Sequence, residues 1–239
     1  MVNTLAIARR ELVAYFASPV AYVVIAAFLV IMGFLFGFVL GAPLQYRQAD
    51  MSPVLGSAPI ILLLVAPALT MRLLSEEQRS GTIELLLTSP VRDWEVVLGK
   101  FLASLALLLT MLALTLYYPL LMMVFGNPDR GAIASGYVGA ILLGASFLSI
   151  GLLASSLTQN QVVAAMISFG IILALWLVGF LGGVVTGPPA EIINYISITE
   201  HYSDFMQGIV SSKDVIYYLS IVAGALFLAT RSLETRRWS

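Results

Sequence analysis

The sequence has no cysteine, which excludes disulfides and thiol-ligated metal and leaves the redox compartment open. Histidine is nearly absent too. His201 stands alone beside Glu200 and Asp204 with no H-x-x-x-H partner, so zinc-site spacing is missing and the residue reads as a surface or interfacial histidine. Charge is scarce: 10% of residues are charged and the net charge is −1, which excludes a nucleic-acid footprint. No phosphate-binding loop of the G-x-x-x-x-G-K-[ST] kind occurs, because Gly99-Lys100 runs into Phe101 and lacks the earlier glycine. Ser146 and Ser149 lie in an apolar stretch that offers no histidine as base, so a serine hydrolase inside a membrane has no support. The longest polar-containing segments, 72–100 and 187–214, are too short to bury cores of their own.

What remains is apolar sequence. With 60% hydrophobic residues, an ordinary soluble domain and a disordered chain are both excluded. Six stretches, 19–40, 57–71, 101–125, 133–157, 162–186 and 215–230, contain no Lys, Arg, Asp, Glu or His. A bilayer crossing needs about 20 apolar residues at helical rise. The second stretch is short unless it borrows 53–56 or 72–74. The expected fold is therefore all-α: one polytopic membrane domain over residues 1–239 with six transmembrane helices. The first stretch exceeds a signal h-region and no small-x-small site follows in 41–50, so it reads as a retained anchor.

Lys and Arg set the orientation. With both termini in the cytoplasm, Arg9, Arg10, Arg72, Arg79, Arg92, Lys100, Arg231, Arg236 and Arg237 lie inside, and Arg47, Arg130 and Lys213 outside. Nine against three satisfies the positive-inside rule and predicts an inner-membrane protein. Ion-coupled carriers hold ionisable groups within their spans; none occurs in these six, so such a carrier is disfavoured, although unwound helices could still hold sodium through carbonyls.

The polar pieces have structure of their own. In residues 1–18, Leu5, Ala8, Leu12 and Tyr15 share a helical face with Phe16 beside it, which predicts an interfacial elbow helix turned into the first span by Ser18-Pro19. In 72–100, Gly81 breaks one helical piece and Thr82 starts a short second one carrying Ile83, Leu86 and Leu87 on one side and Glu84 on another. Ser89 then caps a helix with Pro90 at its first position and Asp93 in its first turn. In 187–214, Gly187-Pro188-Pro189 ends span five, and Ser197 and Glu200 make a capping-box pattern. Tyr202, Phe205, Met206 and Ile209 form one apolar face, and Ser211 and Asp214 repeat the capping pattern. Short interfacial or re-entrant outer helices follow from this. Glycines four apart, Gly33, Gly37 and Gly41 in span one and Gly179, Gly183 and Gly187 in span five, fit close helix packing, either within the chain or between subunits. Gly136, Ala140 and Gly144 repeat the spacing in span four.

These residues carry a resemblance. The stretch Glu76-Glu77-x-Arg79-Ser80-Gly81-Thr82-Ile83-Glu84-Leu85-Leu86-Leu87-Thr88-Ser89-Pro90-Val91 resembles the loop between spans two and three of ABC-2 type (type-2 ABC exporter) permeases. The order of parts, elbow, six spans, inner loop and outer helices before span six, is similar over nearly the whole chain. The stretch Ser197-x-x-Glu200-His201-Tyr202-x-x-Phe205-x-x-Gly208-Ile209-Val210 with Lys213-Asp214-Val215-Ile216-Tyr217-Tyr218 resembles the gliding-motility-associated and nitrous-oxide-reductase-maturation branch.

The resemblance implies a non-catalytic permease subunit that binds no cofactor. ATP and Mg would sit on two separate ABC ATPase subunits, and a second permease copy or homologue would complete the pair, with an extracytoplasmic accessory protein as a further partner. It implies ATPase coupling through Glu76, Glu77, Arg79, Gly81, Thr82 and Glu84, with Arg9 and Arg10 of the elbow as partners for the acids. A scaffold or anchor subunit, driven by an ATPase without moving cargo, is the competing expectation. The cargo and the choice between homodimer and heterodimer stay open; uncharged spans favour apolar or lipid-like cargo, while Thr110, Thr115, Tyr117, Tyr118 and Ser168 could line a polar route.

Overall fold

The computed structural model describes residues 2–41, 50–82, 91–182, 187 and 193–237. Among the described residues there is no strand. The helices are α1 (Val2–Ala17), α2 (Pro19–Gly41), α3 (Ser52–Leu55), α4 (Ala58–Thr70), α5 (Ser75–Ser80), α6 (Asp93–Thr115), α7 (Tyr117–Phe125), α8 (Arg130–Leu157), α9 (Gln161–Gly182), α10 (Ile198–Met206) and α11 (Ser212–Arg237). Helices are what such a sequence must form if it crosses a bilayer, since hydrocarbon offers no partner for a free N–H or C=O.

Among the described residues, six helical spans are long and apolar enough to cross a membrane. The second does borrow from both flanks: α3, α4 and α5 together make a span over Ser52–Ser80, broken at 56–57 and 71–74. Pro67 inside α4 removes one ladder bond shortly before the second break. The third span joins α6 and α7 through Leu116, and its helix begins at Asp93, eight residues before the apolar stretch opens at 101. Lys100 therefore belongs to the spanning helix itself, which corrects the expectation that every charge lies outside the spans. The helix also opens three residues later than a Pro90 start. Arg92 is extended at φ −82° and ψ 144°, and the Glu95 carboxylate accepts from the Arg92 N–H at 3.1 Å. Ser89 and Pro90 lie outside the described residues.

The fourth span, α8, is the axis of the bundle. It packs on α4, α6, α9, α10 and α11 and is the most enclosed span. Its small residues make that possible. A Cβ on Gly144 would stand 2.4 Å from Leu108, and one on Gly139 2.7 Å from Phe205; Ala140 is fully buried. Glycine lets neighbouring helices approach where any side chain would hold them apart. The span-four spacing thus serves packing within the chain.

The glycines of spans one and five divide. Gly33 lies against the Tyr118 hydroxyl, which would be 3.1 Å from an added Cβ. A Cβ on Gly37 or Gly41 would meet nothing within 4 Å among the described residues. Gly179 lies against Thr199 and Ser197, at 2.2 and 2.7 Å. Gly187 is exposed in the left-handed region at φ 94°, and Gly183 lies outside the described residues. The first, fifth and sixth spans keep most of their surface open, including Phe34, Phe38, Phe180 and Phe227.

The polar-route residues are mostly spent locally. Thr110, Thr115 and Tyr118 donate to the carbonyls of Ala106, Leu112 and Leu29, while Tyr117 faces outward. The Ser168 hydroxyl is buried without a partner.

Candidate functional site

Two polar constellations sit at opposite ends of the bundle. At the end that carries α1 and α5, the elbow lies across the start of α6. Gly99 permits this crossing: an added Cβ would be 2.8 Å from the Ile7 side chain and 2.9 Å from the Thr4 backbone oxygen. The helix turns Thr4, Ala8 and Tyr15 inward and leaves Leu5 exposed. That corrects the expected stripe: Thr4, Ala8, Glu11 and Tyr15 face the bundle, while Leu5 and Phe16 face out.

Behind the crossing lies Lys100, only 1% exposed. Its ammonium donates to Glu77 at 2.9 Å and to Glu11 at 3.0 Å. Arg10 reaches the same two carboxylates from the surface, at 3.2 and 3.1 Å. Two acids and two bases thus join three helices, α1, α5 and α6. The contributions are unequal. Arg10 is well exposed, and such pairs stabilise by about 1 kcal/mol at most. Lys100 is buried, and removing one partner of a buried pair costs about 3–5 kcal/mol because the other charge is stranded.

A cleft of about 280 Å³ adjoins this joint, lined by Glu11, Tyr15, Arg72, Glu76, Glu77 and Lys100. The Tyr15 hydroxyl donates to the Leu69 carbonyl at 2.7 Å, near the end of α4. Burial pushes the Tyr15 phenol up, against the opposing pull of the Arg72 guanidinium, which lies 5.1 Å above its ring. The break at 71–74 is closed by another helix. The Ser155 Oγ accepts from the Leu74 and Ser75 N–H groups, both at 3.0 Å, and donates to the Met71 carbonyl at 3.1 Å. Gln78 donates to the Ser156 carbonyl at 2.9 Å, as does Ser232 of α11 at 3.2 Å.

The predicted coupling residues separate on this frame. Glu77 turns inward to the joint. Glu76, Arg79 and Thr82 are exposed, and Gly81 ends α5 in the left-handed region at φ 72°. Arg10 meets Glu77; Arg9 is exposed and has no ion pair among the described residues. Glu84 lies outside the described residues. Sequence reasoning missed Lys100, Gly99, Glu11 and Ser155. The available signal was a lone lysine preceded by a glycine at the head of an apolar run.

The opposite end is built from hydroxyls. Ser197 caps α10, its Oγ accepting from the Glu200 N–H at 3.3 Å. Tyr202 and Phe205 are buried and Met206 partly so, but Ile209 is exposed, because α10 stops at Met206 and Gly208 turns the chain at φ 84°. This corrects the four-residue face. The Tyr202 hydroxyl donates to the Leu55 carbonyl at 2.7 Å, and Ser135 to the Phe205 carbonyl at 2.7 Å. The second expected capping pair forms only in part: the Ser211 Oγ accepts from the Lys213 N–H at 3.3 Å. Asp214 turns away from Ser211 to His201, at 2.6 Å, and His201 is buried, not superficial.

Between α4, α9 and α10 opens a groove of about 590 Å³. Ile60, Trp176, Phe180 and Met206 give it an apolar wall, and Thr199, Ser203 and Gln207 a polar rim. Aromatic walls with a few polar groups suit apolar or amphipathic molecules. Among the described residues no cluster of three or more His, Asp or Glu could hold a metal ion.

Comparison with known proteins adds relatives. The family model described as "ABC-2 family transporter protein" matches residues 45–231. The chain is 28% identical over 196 residues to the "Probable multidrug ABC transporter permease YbhS" of Escherichia coli K12, covering 76% of this chain and 50% of that protein. It is 28% identical over 149 residues to the "Probable multidrug ABC transporter permease YbhR" of the same organism, covering 60% of this chain and 40% of that one. The chain thus spans about half the length of the curated relatives it matches.

Proposed function

This chain belongs to the ABC-2 family of transporter proteins, and from that premise we propose that it is the permease subunit of an exporter driven by ATPase subunits on separate chains. The observation that carries this reading is the joint of Lys100, Glu11 and Glu77. A span, an elbow and the exposed α5 meet there on one buried cation. The sequence has no phosphate-binding loop of its own, so ATP and Mg belong to the partner. The outward side of α5, with Glu76 and Arg79, and Thr82 just beyond its end are the surface offered to the ATPase; the sequence adds Glu84 to the same docking role. Arg10 ties the same surface to the elbow.

The mechanism follows from the connections. An ATPase pair that binds one permease state better than the other shifts the equilibrium between them; equal binding would shift nothing. Displacement of α5 would pull α1 and α6 through Glu77 and Lys100, α8 through Ser155, and α11 through Ser156 and Ser232. The charge bias supports a cytoplasmic location for this end. The open faces of α2 and α9, with Gly37 and Gly41 free, are those available to lipid or a second permease copy. The named relatives are multidrug permeases by description. With the aromatic groove, this favours an apolar or amphipathic cargo.

The test pairs the chain with an ABC ATPase that co-purifies with it in sealed vesicles and follows a lipophilic dye. Gly81→Pro cannot hold the positive φ of residue 81, and Glu84→Lys reverses a charge on the docking stretch. Both variants should insert normally and still permit ATP hydrolysis, but lose ATP-driven dye movement. Normal transport by both would overturn the coupling assignment. ATP hydrolysis that changes permease conformation while neither the dye nor a fluorescent lipid moves would favour a scaffold.

A further inference from the structure

The cleft beside the Lys100 joint carries charges that the joint does not use. Lys100 and Arg10 are both spent on Glu11 and Glu77. Arg72, in the turn between α4 and α5, has no ion pair among the described residues. Its guanidinium lies 5.1 Å over the Tyr15 ring, and one nitrogen donates to the Ser18 Oγ at 3.3 Å. A guanidinium carries five N–H donors, so most of its capacity is open. Four residues on, in the first turn of α5, the Glu76 carboxylate is exposed and has no partner among the described residues. Glu77 gives Oε1 to both Lys100 and Arg10, while its Oε2 is buried without a partner. A buried carboxylate oxygen that lacks a donor carries a cost, which an entering N–H removes.

Ser18 fixes the level of the cleft. It stands between α1 and α2, where the chain turns from the membrane surface into the first span. Just past it, α2 exposes Val20, Tyr22 and Val23, the start of an apolar wall for acyl chains. Because Arg72 reaches Ser18, the cleft lies at the height of lipid headgroups.

The lining selects among headgroups. Glu11, Glu76 and Glu77 stand against Arg72 and Lys100, with Arg10 at the surface, so the two signs balance. An anionic headgroup would gain at Arg72 and lose against the acids. A zwitterion satisfies both. Its cation must also carry N–H groups, since the open acceptors are carboxylate oxygens. A quaternary ammonium has none and is held by aromatic cages. Tyr15, the one ring in the cleft wall, is already covered by Arg72. The volume, about 280 Å³, falls below the ~300–1,000 Å³ of sites for drug-sized molecules and suits a headgroup.

We propose that this cleft binds the phosphoethanolamine headgroup of a membrane lipid, its phosphate on Arg72 and its primary ammonium on Glu76 and Glu77. The lipid ties the elbow to the broken end of the second span and to α5, beside the contact that Lys100 makes. Soluble phosphoethanolamine carries the same charges but no acyl chains to hold it at this level. The site is separate from the aromatic groove at the other end of the bundle. It goes beyond the transport reading, and its test uses the chain alone, without ATPase or cargo.

Full-length chain is released from nanodiscs that hold equal amounts of phosphatidylethanolamine, phosphatidylcholine and phosphatidylglycerol with identical acyl chains. Native mass spectrometry counts the lipids that stay bound. Phosphatidylethanolamine should exceed phosphatidylcholine about tenfold, the value of one charge-assisted hydrogen bond. Glu76→Gln should bring that ratio down to about twofold, because the ammonium loses its exposed acceptor. Arg72→Gln should lower bound phosphatidylethanolamine about fivefold, through the phosphate. Arg130→Gln, on the exposed start of α8 at the opposite end, should change neither. Glu76 is exposed, so its variant folds and decides the matter even if Arg72→Gln does not. Equal retention of the ethanolamine and choline lipids, retention of phosphatidylglycerol above both, or a ratio that Glu76→Gln leaves unchanged would overturn the site. Soluble glycerophosphoethanolamine, added in excess, should leave the bound lipid in place; its displacement would overturn the lipid as the ligand.

Discussion

The two ends of this bundle are fastened by different chemistry. The end carrying the elbow is held by a few charges converging on Lys100 and by Ser155 bridging a broken helix. The end carrying α10 is held by hydroxyls of Tyr202, Tyr217, Tyr218 and Ser135, each donating to a backbone carbonyl, with one His–Asp pair among them. Hydroxyl bonds to backbone are short-ranged and each contributes modestly, about 1 kcal/mol. A buried cation shared by two acids is all-or-none, because losing one partner strands the others. One end is therefore suited to be switched by a docking partner, and the other to stay closed by the sum of many small bonds.

The comparison is broken most readily at Lys100. Lys100→Met leaves Glu11 and Glu77 facing each other with only surface-exposed Arg10 to offset them. Thermal unfolding should report a loss of about 3 kcal/mol. Adding Glu11→Gln and Glu77→Gln should recover most of it, because a neutral joint strands no charge. A smaller effect, about 2 kcal/mol, is expected from Gly99→Ala, whose Cβ would push the elbow backbone off α6. Gly37→Ala, with nothing within 4 Å, should stay within about 0.5 kcal/mol.

At the hydroxyl end, Tyr202→Phe removes one bond to Leu55 and should cost about 1 kcal/mol. Arg10→Ala sits last, at about 0.5 kcal/mol or less in the same unfolding assay, because its guanidinium stays in water. Should Tyr202→Phe prove as costly as Lys100→Met, the contrast between the ends would collapse.

The spans were legible because hydrocarbon imposes length and composition together, and each of the six stretches falls on a helix over its described residues. The second was read as needing its flanks, and α3 and the 71–74 turn supply them. Helix starts were less legible. Pro90 looked like a first helical residue, yet Arg92 and Glu95 cap α6 instead. The face of α1 was misjudged because apolar spacing says which residues avoid water, not which meet protein and which meet lipid: Leu5 is exposed, and Thr4 and Glu11 turn inward. The face of α10 was drawn too long, because the helix stops at Met206 and leaves Ile209 exposed. The joint itself was half legible. Glu77 and Arg10 were named as partners, but Lys100 stands just before the apolar stretch that was read as the third span, and His201 finds Asp214 thirteen positions away, not a neighbour in sequence.

The central claim is that the Lys100 joint transmits motion as well as holding helices together. Its direct measure is dye moved per ATP hydrolysed, in vesicles with the proposed partner ATPase, for the triple variant Lys100→Met, Glu11→Gln, Glu77→Gln. The neutral joint should keep the fold and the ATP turnover while the transport ratio drops about tenfold. A ratio equal to that of the unaltered chain would contradict the claim.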